Sequence, residues 1–168
     1  MQHIMIIEDE TNIREELMLL LESVPYRVSA PKPEGDLLTL IREARPDLIL
    51  LDLGLPGIDG LTLCSLLRKE SAVPIIFVTG RNTSMDELNC LLRGGDDFLS
   101  KPYQPAILLA RISAVLRRTK REEDAALHWK NLKLDLASGT ISLPEGKSHP
   151  AELSRNELKI LYYLMKHA

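Results

Sequence analysis

The sequence predicts a doubly wound α/β domain, a five-stranded parallel sheet with helices on both faces, followed by a smaller and incomplete second unit. Three observations carry this. Short apolar runs alternate with longer amphipathic ones five times over in the first part of the chain, the pattern of successive β-α units. The central run, "LILL" at 48–51, is apolar at every position, as a strand covered on both faces is. That run ends on a carboxylate, Asp52, and Pro56-Gly57 and Asp59-Gly60 then turn the chain back toward a helix.

The elements follow in order. Residues 3–7 form a first strand, and 12–23 a helix with Ile13, Leu17, Leu20 and Leu21 on one face. Residues 26–30 are a weaker strand, and 36–44 a helix with Leu37, Leu40 and Ile41 turned inward. After the 48–51 strand, residues 61–69 are helical. "PIIFV" at 74–78 is the fourth strand, and 85–93 a helix that Thr83 or Ser84 can cap. Residues 97–100 are a short fifth strand, and 105–118 a long helix with Pro105 in its first turn. Right-handed crossovers leave few topologies for such a chain, and the flavodoxin-like order 2-1-3-4-5 suits it.

The first domain is expected over 1–119. The charged run "TKREEDAA" lacks apolar periodicity and reads as a linker, 120–126. Residues 127–168 then read as short strands around a turn at Ser138-Gly139, with a helix starting near Arg155 that Ser154 and Glu157 box.

Composition narrows the function. The net charge is −3, so no overall basic footprint for nucleic acid exists. Residues 1–118 carry 13 Lys and Arg against 17 Asp and Glu, and residues 119–168 carry 8 against 7, so the acidic excess lies in the first domain. The two cysteines, Cys64 and Cys90, sit in no metal-binding spacing and read as reduced thiols on helices. No apolar run reaches the ~18 residues of a membrane span, and "MQHIMIIEDE" is not a signal peptide. A soluble cytoplasmic protein without a membrane partner is expected.

In open parallel sheets ligands bind beyond the carboxyl ends of the strands. There the sequence places Glu8 and Asp9, Asp52, Thr79, and Lys101. Each alone has a plain structural reading: Asp as a turn residue, Glu8-Asp9 as charge before a helix, Thr79 as a strand end, Lys101 as a solvated Lys before Pro. Together they converge three acids, a hydroxyl and an amine on one rim. Three close carboxylates resist ionising together, and a hard divalent cation such as Mg²⁺ resolves the conflict. Asp9 and Asp52 can ligate directly, Glu8 through a water, and Gly54 through its backbone carbonyl. Metal, amine and hydroxyl are what a transferring phosphoryl group needs to disperse its charge, and an aspartate can be its acceptor.

The motifs "IIEDE", "LILLDLGLPGIDGL", "IIFVTG" and "GGDDFLSKPY", in this order, resemble the receiver domain of two-component response regulators. The resemblance covers roughly residues 1–120, and the tail "LKLDLASGTISL…LSRNELKIL" extends it to the OmpR/PhoB subfamily, whose second domain is a DNA-binding winged helix. It implies Asp52 as phosphoacceptor, Glu8, Asp9, Asp52 and the Gly54 carbonyl around Mg²⁺, Thr79 and Phe98 as switch residues, Lys101 on the phosphoryl group, and a cis Lys101-Pro102 bond. It implies a sensor histidine kinase as phosphodonor. It also implies a homodimer through the fourth helix, fifth strand and fifth helix. Such a protein is a phosphoacceptor regulator, not a turnover enzyme.

The sequence departs from that pattern at four places. Gly54 stands two residues after the aspartate, where the family often has a larger side chain, and Gly80 replaces the usual alanine after Thr79. The dimer-face pair of a basic residue with a Glu is absent, its positions holding Glu87 and Ile107. Arg111 with Asp96 or Asp97, and Arg118 with Asp86, are the remaining candidates for that face. Finally, a winged helix needs further helices after the one starting near Arg155, including the one that enters the major groove. Specific DNA binding is therefore expected only with that further part present. The alternative is a receiver-only phosphate acceptor, or a dimer partner that disables a full-length regulator. A haloacid-dehalogenase-like phosphatase would need an acid at Gly54, and a flavodoxin-type carrier a phosphate loop where "EDET" stands.

Overall fold

The computed structural model describes residues 1–81, 83–124, 126–130, 132–135, 139–143 and 151–166. Two compact units divide the chain, Met1–Leu116 and Arg117–Ala168.

In the first unit the order is β1 (His3–Ile7), α1 (Thr11–Glu22), β2 (Arg27–Ser29), α2 (Leu37–Ala44), β3 (Leu48–Leu51), α3 (Gly60–Leu67), β4 (Ile75–Thr79), α4 (Ser84–Leu92), β5 (Asp97–Ser100) and, as far as Leu116, α5 (Pro105–Asp124). The strands lie β2-β1-β3-β4-β5, every pair parallel. Ile4 to Ile7 stand beside Leu48 to Leu51 in register, so the apolar runs meet along their whole length.

Why these strands read as unbroken apolar runs is visible in the packing. Side chains alternate across the sheet. Met5, Ile7, Ile49, Leu51, Ile75 and Phe77 meet Leu37 and Ile41 of α2, Leu63 and Leu67 of α3 and Cys90 of α4 on one face. Ile4, Ile6, Leu48, Leu50, Ile76 and Val78 meet Leu17 and Leu21 of α1 and Leu108 and Ile112 of α5 on the other. Each such Leu or Ile contributes about 1.5–3 kcal/mol, and a polar residue on either face would forfeit it.

Helix starts follow their capping chemistry. Asp36 accepts from the Thr39 amide, Asp59 from the Leu61 amide, and Thr83 forms a capping box with Asp86. Of the two residues able to cap α4, Thr83 is the cap.

Two expectations need correcting. Leu40 does not face inward but is 38 % exposed, and Leu38 packs against the core instead. In this two-turn helix, Leu37 and Ile41 occupy the stripe that reaches the sheet. The expected linker at 120–126 is also not a separate stretch. Helix α5 runs on to Asp124, and β6 begins at Ala126. Lys, Arg and Glu are good helix formers, and no Gly or Pro halts the run.

The second unit holds β6 (Ala126–Trp129), β7 (Leu132–Asp135), β8 (Thr140–Ser142), β9 (Ala151–Glu152) and α6 (Arg155–Lys166). The strands form an antiparallel sheet in sequence order. Gly139 takes the left-handed turn conformation at φ 68°, where a side chain would be strained. Its neighbour in the expected turn, Ser138, lies outside the described residues. Ser154 and Glu157 box the start of α6: Glu157 Oε2 accepts from the Ser154 amide at 2.8 Å and the Glu157 amide donates to Ser154 Oγ at 3.4 Å. Among the described residues no helix is long and apolar enough to cross a membrane.

Candidate functional site: an acidic rim at the strand ends

Strand β3 delivers Asp52 to the rim by continuing its ladder one step. The Asp52 amide donates to the Ile7 carbonyl at 3.0 Å, which sets Asp52 beside Glu8 at the end of β1. Both are buried, Glu8 at 2 % and Asp52 at 7 % exposure. Asp9 is exposed. Carboxylate oxygens of Glu8, Asp9 and Asp52 all lie within 4.8 Å of one another.

Strand β5 brings the counter-charge. The Lys101 amide donates to the Thr79 carbonyl at 2.8 Å, prolonging the β4–β5 pairing, and a cis Lys101-Pro102 bond follows. The Lys101 ammonium donates to Glu8 Oε2 at 2.6 Å and to Asp52 Oδ2 at 3.2 Å. Asp52 Oδ1 accepts from the Leu53 amide at 2.6 Å, and Glu8 Oε1 from the Glu10 amide at 3.2 Å.

Burial pushes the Glu8 carboxyl above its ordinary range, against the Lys101 hydrogen bond, and the Asp52 charge adds to the rise. Burial acts against the Lys101 charge as well. The Glu8 hydrogen bond and the Asp52 charge outweigh it, so the ammonium is held more firmly than an ordinary lysine. One ammonium thus bonds two members of a cluster of three carboxylates. The remaining negative charge and an all-oxygen donor set fit a small hard cation such as Mg²⁺.

Thr79 is 2 % exposed, and its Oγ1 accepts from the Arg81 amide at 3.2 Å. Phe98 is half-buried against the first core cluster, opposite Phe77 in the β4–β5 register. A side chain at Gly54 would start 3.9 Å from Asp52 Oδ2, so the glycine leaves the carboxylate open on that side.

The acids and arginines expected to face a second copy are engaged within the chain. Asp97 accepts from Arg111 at 2.7 and 2.9 Å. Asp96 accepts from Arg68 at 3.0 Å and from the Ile75 amide at 2.9 Å. Asp86 belongs to the α4 capping box. Arg118 lies in the second unit.

Two residues at the site were not singled out in the sequence. At Gly60 a Cβ would fall 2.3 Å from the Asp52 carbonyl oxygen, so only glycine lets α3 start this close to the acidic residue. Its place after Asp59 signalled a turn, not a contact. The other is Arg14, whose charge on an amphipathic helix reads as solvent-facing, yet it is buried at 9 % exposure.

The sheet order and the acid–lysine rim define the receiver class of signalling domain. A family model described as the response regulator receiver domain matches residues 4–113, and the chain belongs to that family. It is 39 % identical over 166 residues to the transcriptional regulatory protein AfsQ1 of Streptomyces coelicolor, covering 99 % of this chain and 72 % of that protein. It is 34 % identical over 141 residues to the DNA-binding response regulator MtrA of Mycobacterium tuberculosis, covering 84 % of this chain and 62 % of that one. Among solved structures, it resembles the BeF3-activated N-terminal receiver domain of Klebsiella pneumoniae RstA, with TM-score 0.66 and 35 % identity over 69 % of this chain and 99 % of that one. DrrB, an OmpR/PhoB homolog of Thermotoga maritima, matches 100 % of this chain and 74 % of its own, with TM-score 0.61 and 27 % identity.

Proposed function

We propose that Asp52 accepts a phosphoryl group from a sensor histidine kinase, and that this switches the chain between two states. The observation that carries the reading is Lys101, whose ammonium bridges Glu8 and Asp52 at 2.6 and 3.2 Å. An Asp52 carboxylate oxygen attacks phosphorus. The new O–P bond forms as the P–N bond to the kinase imidazole breaks, and the electron pair leaves on that nitrogen. Negative charge spreads over the equatorial phosphoryl oxygens. Lys101, already beside Asp52, neutralises part of it without reorganising. Glu8, Asp9, Asp52 and the Gly54 carbonyl are the groups to hold Mg²⁺, which when bound neutralises further phosphoryl charge.

The Thr79 hydroxyl then donates to a phosphoryl oxygen. Moving there breaks its bond to the Arg81 amide and shifts the loop leading into α4, and Phe98 turns inward. This biases a population between two states through contacts made in only one of them. The α4–β5–α5 face is the dimer surface. With Asp86, Asp96, Asp97 and Arg111 engaged within the chain, this face also offers a second copy exposed apolar side chains, Met85, Leu88 and Leu92 on α4 and Ile107 on α5.

Residues 127–168 are read as part of a winged helix, which points to DNA binding and transcriptional control. The second reading, a receiver-only acceptor or a disabling dimer partner, follows if this span acts alone.

Intact mass spectrometry after incubation with a small acyl phosphate and Mg²⁺ tests the proposal. One added phosphoryl group on the wild type and none on Asp52→Asn is the expected result. No gain on the wild type, or an equal gain on the variant, overturns it.

A further inference from the structure

No step of the phosphoryl transfer uses Arg14, yet its side chain is built into the pocket. Its Nη1 donates to the Glu8 carbonyl at 2.9 Å and to the Asp9 carbonyl at 3.2 Å, and its Nη2 to Thr11 Oγ1 at 3.2 Å. These acceptors are carbonyl or hydroxyl oxygens, so the guanidinium grips the main chain of the acidic pair, while Lys101 handles the carboxylates.

Two features make this grip more than packing. Successive carbonyls of a strand point to opposite sides. Here two consecutive ones converge on a single planar fork, so the fork holds the chain in the turn by which it leaves β1. Helix α1 also has no side-chain cap at its N-cap residue, Glu10. The β1–α1 loop therefore lacks the accepting side chain found at the starts of α2, α3 and α4, and Arg14, a donor, reaches back from the first turn of α1 to hold the loop by its carbonyls instead.

We infer that Arg14 is the positioning residue of the divalent-cation site. By fixing the peptide planes of Glu8 and Asp9, it holds their carboxylates within 4.8 Å of that of Asp52. Mg²⁺ demands near-octahedral oxygen geometry, so a loop free to rotate binds it less well. The inference rests on the reading that these acids take Mg²⁺.

Charge and position predict opposite signs, which makes the role testable. If Arg14 acted only as a nearby cation, removing it would tighten Mg²⁺ binding. If it positions the loop, removing it weakens binding. The experiment is a Mg²⁺ titration of the full chain, followed through the NMR amide signal of Glu10 and the Mg²⁺-induced rise in melting temperature, for wild type, Arg14→Met, Arg14→Lys and Arg68→Met. Arg68 is the control, an arginine that grips the carbonyls of Val73 and Gly94 on other loops.

Arg14→Met is expected to weaken Mg²⁺ binding about tenfold to a hundredfold, the usual range for losing a partner behind a metal ligand. Arg14→Lys keeps the charge but not the fork and is expected to stay weaker than wild type by about threefold or more. Arg68→Met is expected to lower the melting temperature without Mg²⁺ yet leave the Mg²⁺ midpoint unchanged. A wild-type or tighter midpoint in Arg14→Met and Arg14→Lys, or an equal weakening in Arg68→Met, overturns the inference. Should Arg14→Met fail to fold, Arg14→Lys decides. A wild type that binds no Mg²⁺ overturns the metal-site reading itself, a result distinct from unchanged variants.

Discussion

The Lys101 ammonium lies 2.6 Å from Glu8 Oε2 across 93 residues of sequence. It joins the last strand of the sheet to the first, over the carboxylate at the end of the middle one. Glu8 is buried at 2 % exposure and Lys101 is largely covered at 13 %, so the pair holds its charges mostly away from water with Asp52 as third member.

Lys101→Met leaves Glu8 buried without its partner. Breaking a buried pair this way costs about 3 kcal/mol, and phosphoryl acceptance is expected to be lost with it. Urea unfolding near neutral pH should show the loss. The loss should shrink as pH falls, because a Glu8 carboxyl already raised by burial protonates and carries no charge to strand.

Gly60→Ala is expected to destabilise the first unit by about 2 kcal/mol or more, the scale of overpacking. The new methyl group would meet the Asp52 carbonyl at 2.3 Å and the Leu53 Cα at 2.9 Å. Both are main chain and cannot swing aside. The shift falls on Asp52, so phosphorylation by a small phosphodonor should slow along with the drop in urea midpoint. Gly54→Ala, whose methyl would sit at an ordinary contact distance of 3.9 Å from Asp52 Oδ2, should leave stability nearly unchanged.

His3 makes folding sensitive to acid. Its Nδ1 accepts from Arg27 at 2.9 Å, and since arginine only donates, Nε2 carries the proton that bonds Ser29 Oγ at 2.7 Å. Burial first, then the Arg27 charge, lowers its pKa below 6.5, against the opposing pull of the Ala44 carbonyl and Asp47. The folded state therefore prefers the neutral ring. The stability this gives is present above the unfolded value and is lost as pH falls from there through the lower folded pKa. His3→Gln, which can still accept from Arg27 and donate to Ser29, should flatten the fall in urea midpoint between about pH 7 and pH 5.

Much of this was legible in the sequence, for local reasons. Apolar runs at 3–7, 48–51 and 74–78 marked strands because two-sided burial leaves no polar position. Thr83 announced a helix because a capping side chain bonds an amide within three residues, whereas the caps at Asp36 and Asp59 emerged only in the structure. Asp52, Lys101 and Thr79 stood out because parallel topology puts every strand's carboxyl end on one rim. The end of α5 was misplaced because a charged run forms helix as readily as linker, and periodicity is silent where no apolar face repeats.

By itself, then, the sequence determined which elements form, in what order, and which side chains reach the rim. These follow from near-neighbour chemistry and from the one hand of parallel crossovers. Only the tertiary structure decided how those side chains pair. It alone turned Arg14 inward onto the Glu8 and Asp9 carbonyls, brought α3 so close that Gly60 admits no methyl, and joined Arg111 to Asp97 within one chain at 2.7 Å. Such contacts depend on the register of distant strands and on rotamers chosen by packing, and no local pattern of residues encodes either.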